Sequence, residues 1–302
     1  MLALVVFLNG MAVMVLEMVG ARLLAPWLGT SVVVWTSLIG VILACLSLGY
    51  WLGGRLADNY LRPAAAPKPE KKSGKARRTA PRTDTPGTPN AGTADADNDA
   101  AAGARTANIR AVAMLSNLLL GASVTVFITA MLQGVMLPAL AKAVPSLHLA
   151  AVLAALLLFA LPSMLCGMVS PYAVRLAITD SETSGTVIGR LNAVSTVGSI
   201  VGTFLGGFVL ISWFGSMETT LGVSAILLAT AALVRLKPVL SKVALALCLI
   251  LAAFAHKSYT AYMIEAENAP IGVETLYSSV RVADGLLEGR PVKLLFTDPG
   301  SC

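Results

Sequence analysis

Apolar residues in this chain fall into long runs separated by short polar breaks. The first run extends from Leu2 to about Leu24, with Pro26 and Gly29 marking a turn behind it. The second, Ser31 to about Leu56, is nearly continuous and has Trp35 at one end and Tyr50–Trp51 at the other, where interfacial aromatics belong. Four more runs follow: Ile109 to about Leu137, His148 to about Met168 with Pro162 as a kink, Val187 to Ile211, and Thr219 to Leu236. Each reaches the roughly 17–25 residues that a membrane-spanning helix needs. A seventh, Val239 to about Ala255, is near the lower length limit. The pattern predicts an all-α polytopic membrane protein with about seven transmembrane helices, grouped as 1–58 and 109–257.

Two segments break the pattern. Residues 59–108 are rich in Ala, Pro, Thr, Lys, Arg, Asp and Gly and nearly lack large apolar side chains. Such a stretch buries too little surface to offset the entropy of ordering, which predicts a disordered loop. Its first half is basic and its second mildly acidic (Asp95, Asp97, Asp99). Residues 262–302 change texture again. Thr275–Asp284 and Pro291–Asp298 alternate as strands around a Gly285–Gly289 turn, predicting a short C-terminal β-hairpin.

Composition agrees with lipid as the solvent: 56% of residues are hydrophobic and 13% charged, against about 25% charged in soluble domains. The net charge of +6 does not require nucleic acid as a partner. Eleven of the 22 Lys and Arg fall within 55–110, and basic loops stay in the cytoplasm. The N-terminus and the 59–108 loop are therefore expected inside, with the bilayer as the main partner. Cys45, Cys166 and Cys248 lie apart within apolar runs, and only His148 and His256 are present, so no metal centre is expected. Nothing resembles a phosphate loop, a dinucleotide loop or a nucleophile elbow.

The candidate functional residues are polar groups inside apolar runs. Glu17 is the costliest, since a carboxylate within a spanning helix costs about 2.5–3.5 kcal/mol on insertion scales. It reads either as a proton- or cation-coupled site or as a structural hydrogen-bonding group that locks helix packing. Arg22 is five residues on, well round the helix, and is placed to snorkel to the interface. Arg55 and Asp58 are close enough to pair with each other or a neighbour. Gly49 and Gly53 form a packing face, and Gly185, Gly189, Gly198, Gly202 and Gly206 repeat the device in the fifth run beside Asn192, Ser195, Thr196 and Ser199. Leu161–Tyr172, with two prolines, reads as a broken helix end.

Several of these segments together resemble one family. Glu17 with Arg22–Pro26, Val34–Ser37, Leu48–Asp58, Gly167–Pro171, Gly189–Ser199 and the tail Glu274–Val282 with Val292–Phe296 are similar to bacterial membrane-anchored spermidine synthase-like proteins. In these a major-facilitator-like bundle is fused to a synthase domain. The resemblance implies a bacterial inner-membrane location and a module that anchors, or feeds substrate to, a soluble aminopropyltransferase-like half. The glycine-rich nucleotide loop and the acidic residues of that half do not occur before Cys302. No catalytic or cofactor residue carries over, and decarboxylated S-adenosylmethionine is expected only if a synthase domain exists elsewhere. The chain is then a fragment, or works with a separate soluble synthase-like chain. The alternative is a small-cation or amine transporter-like protein of major-facilitator type, with Glu17 as its buried charge and a homodimer completing the bundle.

Overall fold

The computed structural model describes residues 1–61, 91–178 and 184–234, together with 271–274, 279–287 and 290–297; at 61, over 91–105, at 107 and in the tail only the backbone is described. The seventh predicted span and most of the 59–108 loop lie outside these residues. Five helices are long and apolar enough to cross a membrane: Leu2–Leu28, Val32–Tyr60, Asn108–Ala143, Leu147–Ala177 and Ser184–Val234.

The last of these has 51 residues. At 1.5 Å per residue that is roughly 77 Å, far more than the ~30 Å hydrocarbon core. It divides at Gly215, whose φ of 82° and ψ of 171° end one helix and begin another. A side chain is disfavoured at that φ, and glycine is not. The elements are therefore α1 (Leu2–Leu28), α2 (Val32–Leu61), α3 (Ala91–Ala143), α4 (Leu147–Ala177), α5 (Ser184–Phe204), a π-helical segment (Leu205–Leu210), and α6 (Ile211–Val234). In the tail, β1 (Ile271–Glu274), β2 (Ser279–Leu287) and β3 (Arg290–Thr297) pair antiparallel in that order.

Helix directions follow from which residues meet. Gly198 and Gly202 lie on Phe7 and Met11, so α5 runs parallel to α1. Gly49 and Gly53 lie on Met164 and Met168, so α2 runs parallel to α4. Asn9 meets Cys166 and Gly20 meets Phe159, so α1 and α4 are antiparallel. Ser116 meets Ala231 and Ser123 meets Ser224, so α3 and α6 are antiparallel. The chain thus alternates direction through all six helices. One end of the bundle carries Arg55, Arg110, Arg175 and Arg190, and the other carries Arg22 and Lys142.

The same contacts reveal an internal repeat. On α1 and α5, Gly198 meets Phe7, Gly202 meets Met11, and Gly10 returns onto Ser195. On α4 and α2, Gly49 meets Met164, Gly53 meets Met168, and Gly167 returns onto Leu46. The spacing 7–10–11 matches 164–167–168, and 195–198–202 matches 46–49–53. Helices α1–α3 and α4–α6 are therefore related by inversion, with α1 equivalent to α4 and α2 to α5. Two contacts sit on the pseudo-twofold axis. Asn9 bonds its own equivalent, Cys166, at 3.1 Å. Ser123 and Ser224 exchange reciprocal hydroxyl-to-carbonyl bonds of 2.8 and 2.9 Å. The extensive pairings, α2 with α4, α1 with α5, and α3 with α6, all join one half to the other.

Three elements depart from the sequence expectation. First, α4 runs unbroken through Pro162 and Pro171 to Ala177 instead of breaking at 161–172. Pro162 cannot donate to the carbonyl of Leu158, one turn back. The Thr129 hydroxyl of α3 donates to that carbonyl at 2.7 Å and replaces the missing partner. Thr129→Val should lower stability by roughly 0.6–1.7 kcal/mol, the range for interhelical hydrogen bonds in membranes. Pro162→Ala restores the amide and should erase most of that loss in the double variant. Unfolding midpoints in detergent read this directly, and an equal penalty in both backgrounds would refute the role. Second, α3 begins at Ala91, inside the stretch assigned to the loop. Residues 91–107 are alanine-rich, a composition that favours helix. Third, the gap between the runs that end at Ile211 and begin at Thr219 is helical except at Gly215.

Candidate functional site

The pseudo-symmetry gives each buried residue a counterpart, so differences between the halves stand out. Beside α5, Val6, Ala173 and Leu191 form a small core, with Leu2, Val174, Ala177 and Val187 packed against it. Their equivalents beside α2 are Ser163, Leu16 and Ile42, with Phe159, Glu17, Gly20 and Leu38 around them. Contacts of Gly20 with Phe159 and Leu38 are those the equivalence requires. Where one half seals this junction with Val6 and Val174, the other places Ser163 and Glu17.

These polar groups are buried. Glu17 is 9% exposed, Ser163 1% and Asn9 3%. Ser163 is one turn from Cys166, whose carbonyl accepts the Asn9 amide, so Asn9 and Ser163 belong to the seam where α1 crosses α4, and Glu17 lies about 12 Å further along α1 from Asn9. Neither Ser163 Oγ nor Asn9 Oδ1 has a hydrogen-bond partner. Among the described residues, no hydrogen bond or ion pair reaches the Glu17 carboxyl group. A buried polar group left unpaired costs about 1–3 kcal/mol, and native structures hold few of them. The unpaired atoms here are acceptors: a carboxylate, an amide oxygen and a hydroxyl that can also accept. Such a set is complementary to a ligand rich in N–H donors or to a small cation.

The remaining candidates are placed as follows. Arg22 is half-buried near the end of α1. Asp58 pairs with Arg175 of α4, not with Arg55, at 2.9 Å. Both partners are about half exposed, and such surface pairs contribute little, about 0–1 kcal/mol. Arg55 lies over the Trp51 ring at 3.9 Å. Ser195 faces α1, where its carbonyl and hydroxyl press on Gly10. Asn192 points outward from the bundle, and its carbonyl accepts the Thr196 hydroxyl. Gly49, Gly53, Gly198, Gly202 and Gly206 all lie against a neighbouring helix, whereas Gly185 and Gly189 meet nothing. Cys45 and Cys166 are free thiols, and the described residues contain no group of three or more metal-ligating side chains. Sequence reasoning passed over Asn9 and left Ser163 within a helix-break motif. The readable signal was a polar side chain inside an apolar run.

No family model matches the chain, and comparison with curated proteins and with solved structures returns no match.

Proposed function

We propose that the bundle binds a small cation or amine and carries it across the bilayer, with Glu17 as the counter-charge and Asn9 and Ser163 as neutral acceptors. The observation that carries this reading is the buried Glu17 on α1, where the equivalent position holds Val174, together with the unpaired Ser163 Oγ and Asn9 Oδ1 at the α1–α4 seam. Intramembrane carboxylates that face a bundle interior commonly mark ion or substrate pathways. Inverted repeats place such sites near the mid-plane, where the halves meet. The arginine-rich end with the 59–108 loop faces the cytoplasm of a bacterial inner membrane on this reading. Proteoliposome uptake of labelled putrescine or spermidine tests it. Glu17→Gln should reduce uptake at least tenfold, and equal uptake by both proteins would remove Glu17 from the mechanism.

A second reading is favoured by the strands β1–β3 that follow the bundle. The bundle then serves as the membrane module of a spermidine synthase-like protein. Its soluble half would be a downstream segment or a separate chain, and that half alone would bind decarboxylated S-adenosylmethionine. A seventh crossing within 239–257 would put the strands outside, away from cytosolic cofactors. A reporter fused after Cys302 decides, because external activity rules this reading out.

A further inference from the structure

We propose that a cavity on the opposite flank of α1 from Glu17 is a second binding site, for an amphipathic amine whose apolar body fills the cavity and whose ammonium group meets Glu218. The cavity measures about 260 Å³ and lies between α1, the π segment and α6. Met11, Val15, Leu205 and Val223 line it, with Phe214 and Glu218 on the exposed side. Residues 15 and 17 differ by about 200° round a helix, so this site and the Glu17 seam are separate.

The repeat explains why the cavity exists. The equivalent of Val15 is Tyr172, which is fully buried and donates its hydroxyl to the Ala111 carbonyl at 3.1 Å. One half therefore fills this position with a large ring, and the other leaves it to a valine. The π segment adds a residue to the turn facing Val15, and π turns concentrate at functional sites. Gly222 contributes no side chain, and a Cβ there would meet nothing within 4 Å.

The lining selects the ligand. An apolar cavity of about 150 Å³ stays dry and takes up benzene, so this larger one suits a longer apolar body. A neutral hydrocarbon would leave Glu218 unused. Among the described residues Glu218 has no ion-pair partner, so a cationic head group completes the site. A medium-chain primary amine has both parts.

Equilibrium binding of labelled octylamine to the full chain in phosphatidylcholine nanodiscs, corrected with empty nanodiscs, tests the proposal. In a Glu17→Gln background, which removes the first amine site, saturable binding near one per chain is expected, with octanoate failing to compete. Gly222→Leu should abolish binding while keeping the wild-type melting temperature, because it fills open space. Val15→Tyr, copying Tyr172, is the second filling variant should the first misfold. Glu218→Gln should weaken binding at least tenfold. Non-saturable uptake, unchanged binding in a folded cavity-filling variant, or full affinity in Glu218→Gln would overturn it.

Discussion

Gly49→Leu and Gly198→Leu should each prevent the bundle from assembling, and to a similar degree. A Cβ at Gly49 would be driven into the Met164 carbonyl, and one at Gly198 into the Phe7 carbonyl. Overpacking costs about 1–3 kcal/mol when side chains can shift. Here the obstacle is backbone on a packed helix, so the cost should reach or exceed the top of that range. Both positions serve the same contact in the two halves, which is why the penalties should match. Gly40→Leu and Gly54→Leu are the controls, because a Cβ at either meets nothing within 4 Å. Size-exclusion profiles of heated, detergent-solubilised protein should show a lost monodisperse peak for the first pair only. Survival of either packing variant at wild-type temperature would mean that the parallel helix pairs are looser than described.

The double substitution Glu17→Val with Ser163→Val should act the other way and make the protein more stable. It gives the α1–α4–α2 junction the residues that the equivalent junction already holds in Val6 and Val174. Each buried unpaired polar group removed should contribute about 1–3 kcal/mol, visible as a melting point raised by several degrees. Amine uptake should vanish in the same variant, the expected trade between stability and a working site. A lower melting point would show that Glu17 and Ser163 already satisfy one another within the bundle, and a structural role would replace the functional one.

Much of the helical layout could be read from one-dimensional pattern, because each of α1, α2 and α4 is a continuous apolar run of membrane length. What could not be read depends on partners far away in the chain. Nothing near Pro162 indicates that α4 continues, since the replacement donor is Thr129 on another helix. The glycine spacings in α2 and α5 were visible as two packing faces. That they are one contact used twice emerges only from their partners, Met164 and Met168 against Phe7 and Met11. The site divides in the same way. Glu17 stands out in any hydropathy scan because a charge in an apolar run is costly. Asn9 and Ser163 are small neutral groups common in membrane helices, and only their burial without partners distinguishes them.

The interleaving of the two halves also constrains how the protein is made. A ribosome releases α1, α2 and α3 into the membrane first, yet their extensive partners are α5, α4 and α6. Until α4 emerges, the glycine face of α2 has nothing to close on, and the polar seam of α1 is open to lipid. The nascent first half therefore holds three apolar helices whose extensive partners are still to be synthesised. Each helix of the second half supplies the missing partner of one in the first: α4 for α2, α5 for α1, and α6 for α3. The reciprocal serine bonds between α3 and α6 join the last helix synthesised to the last of the first half.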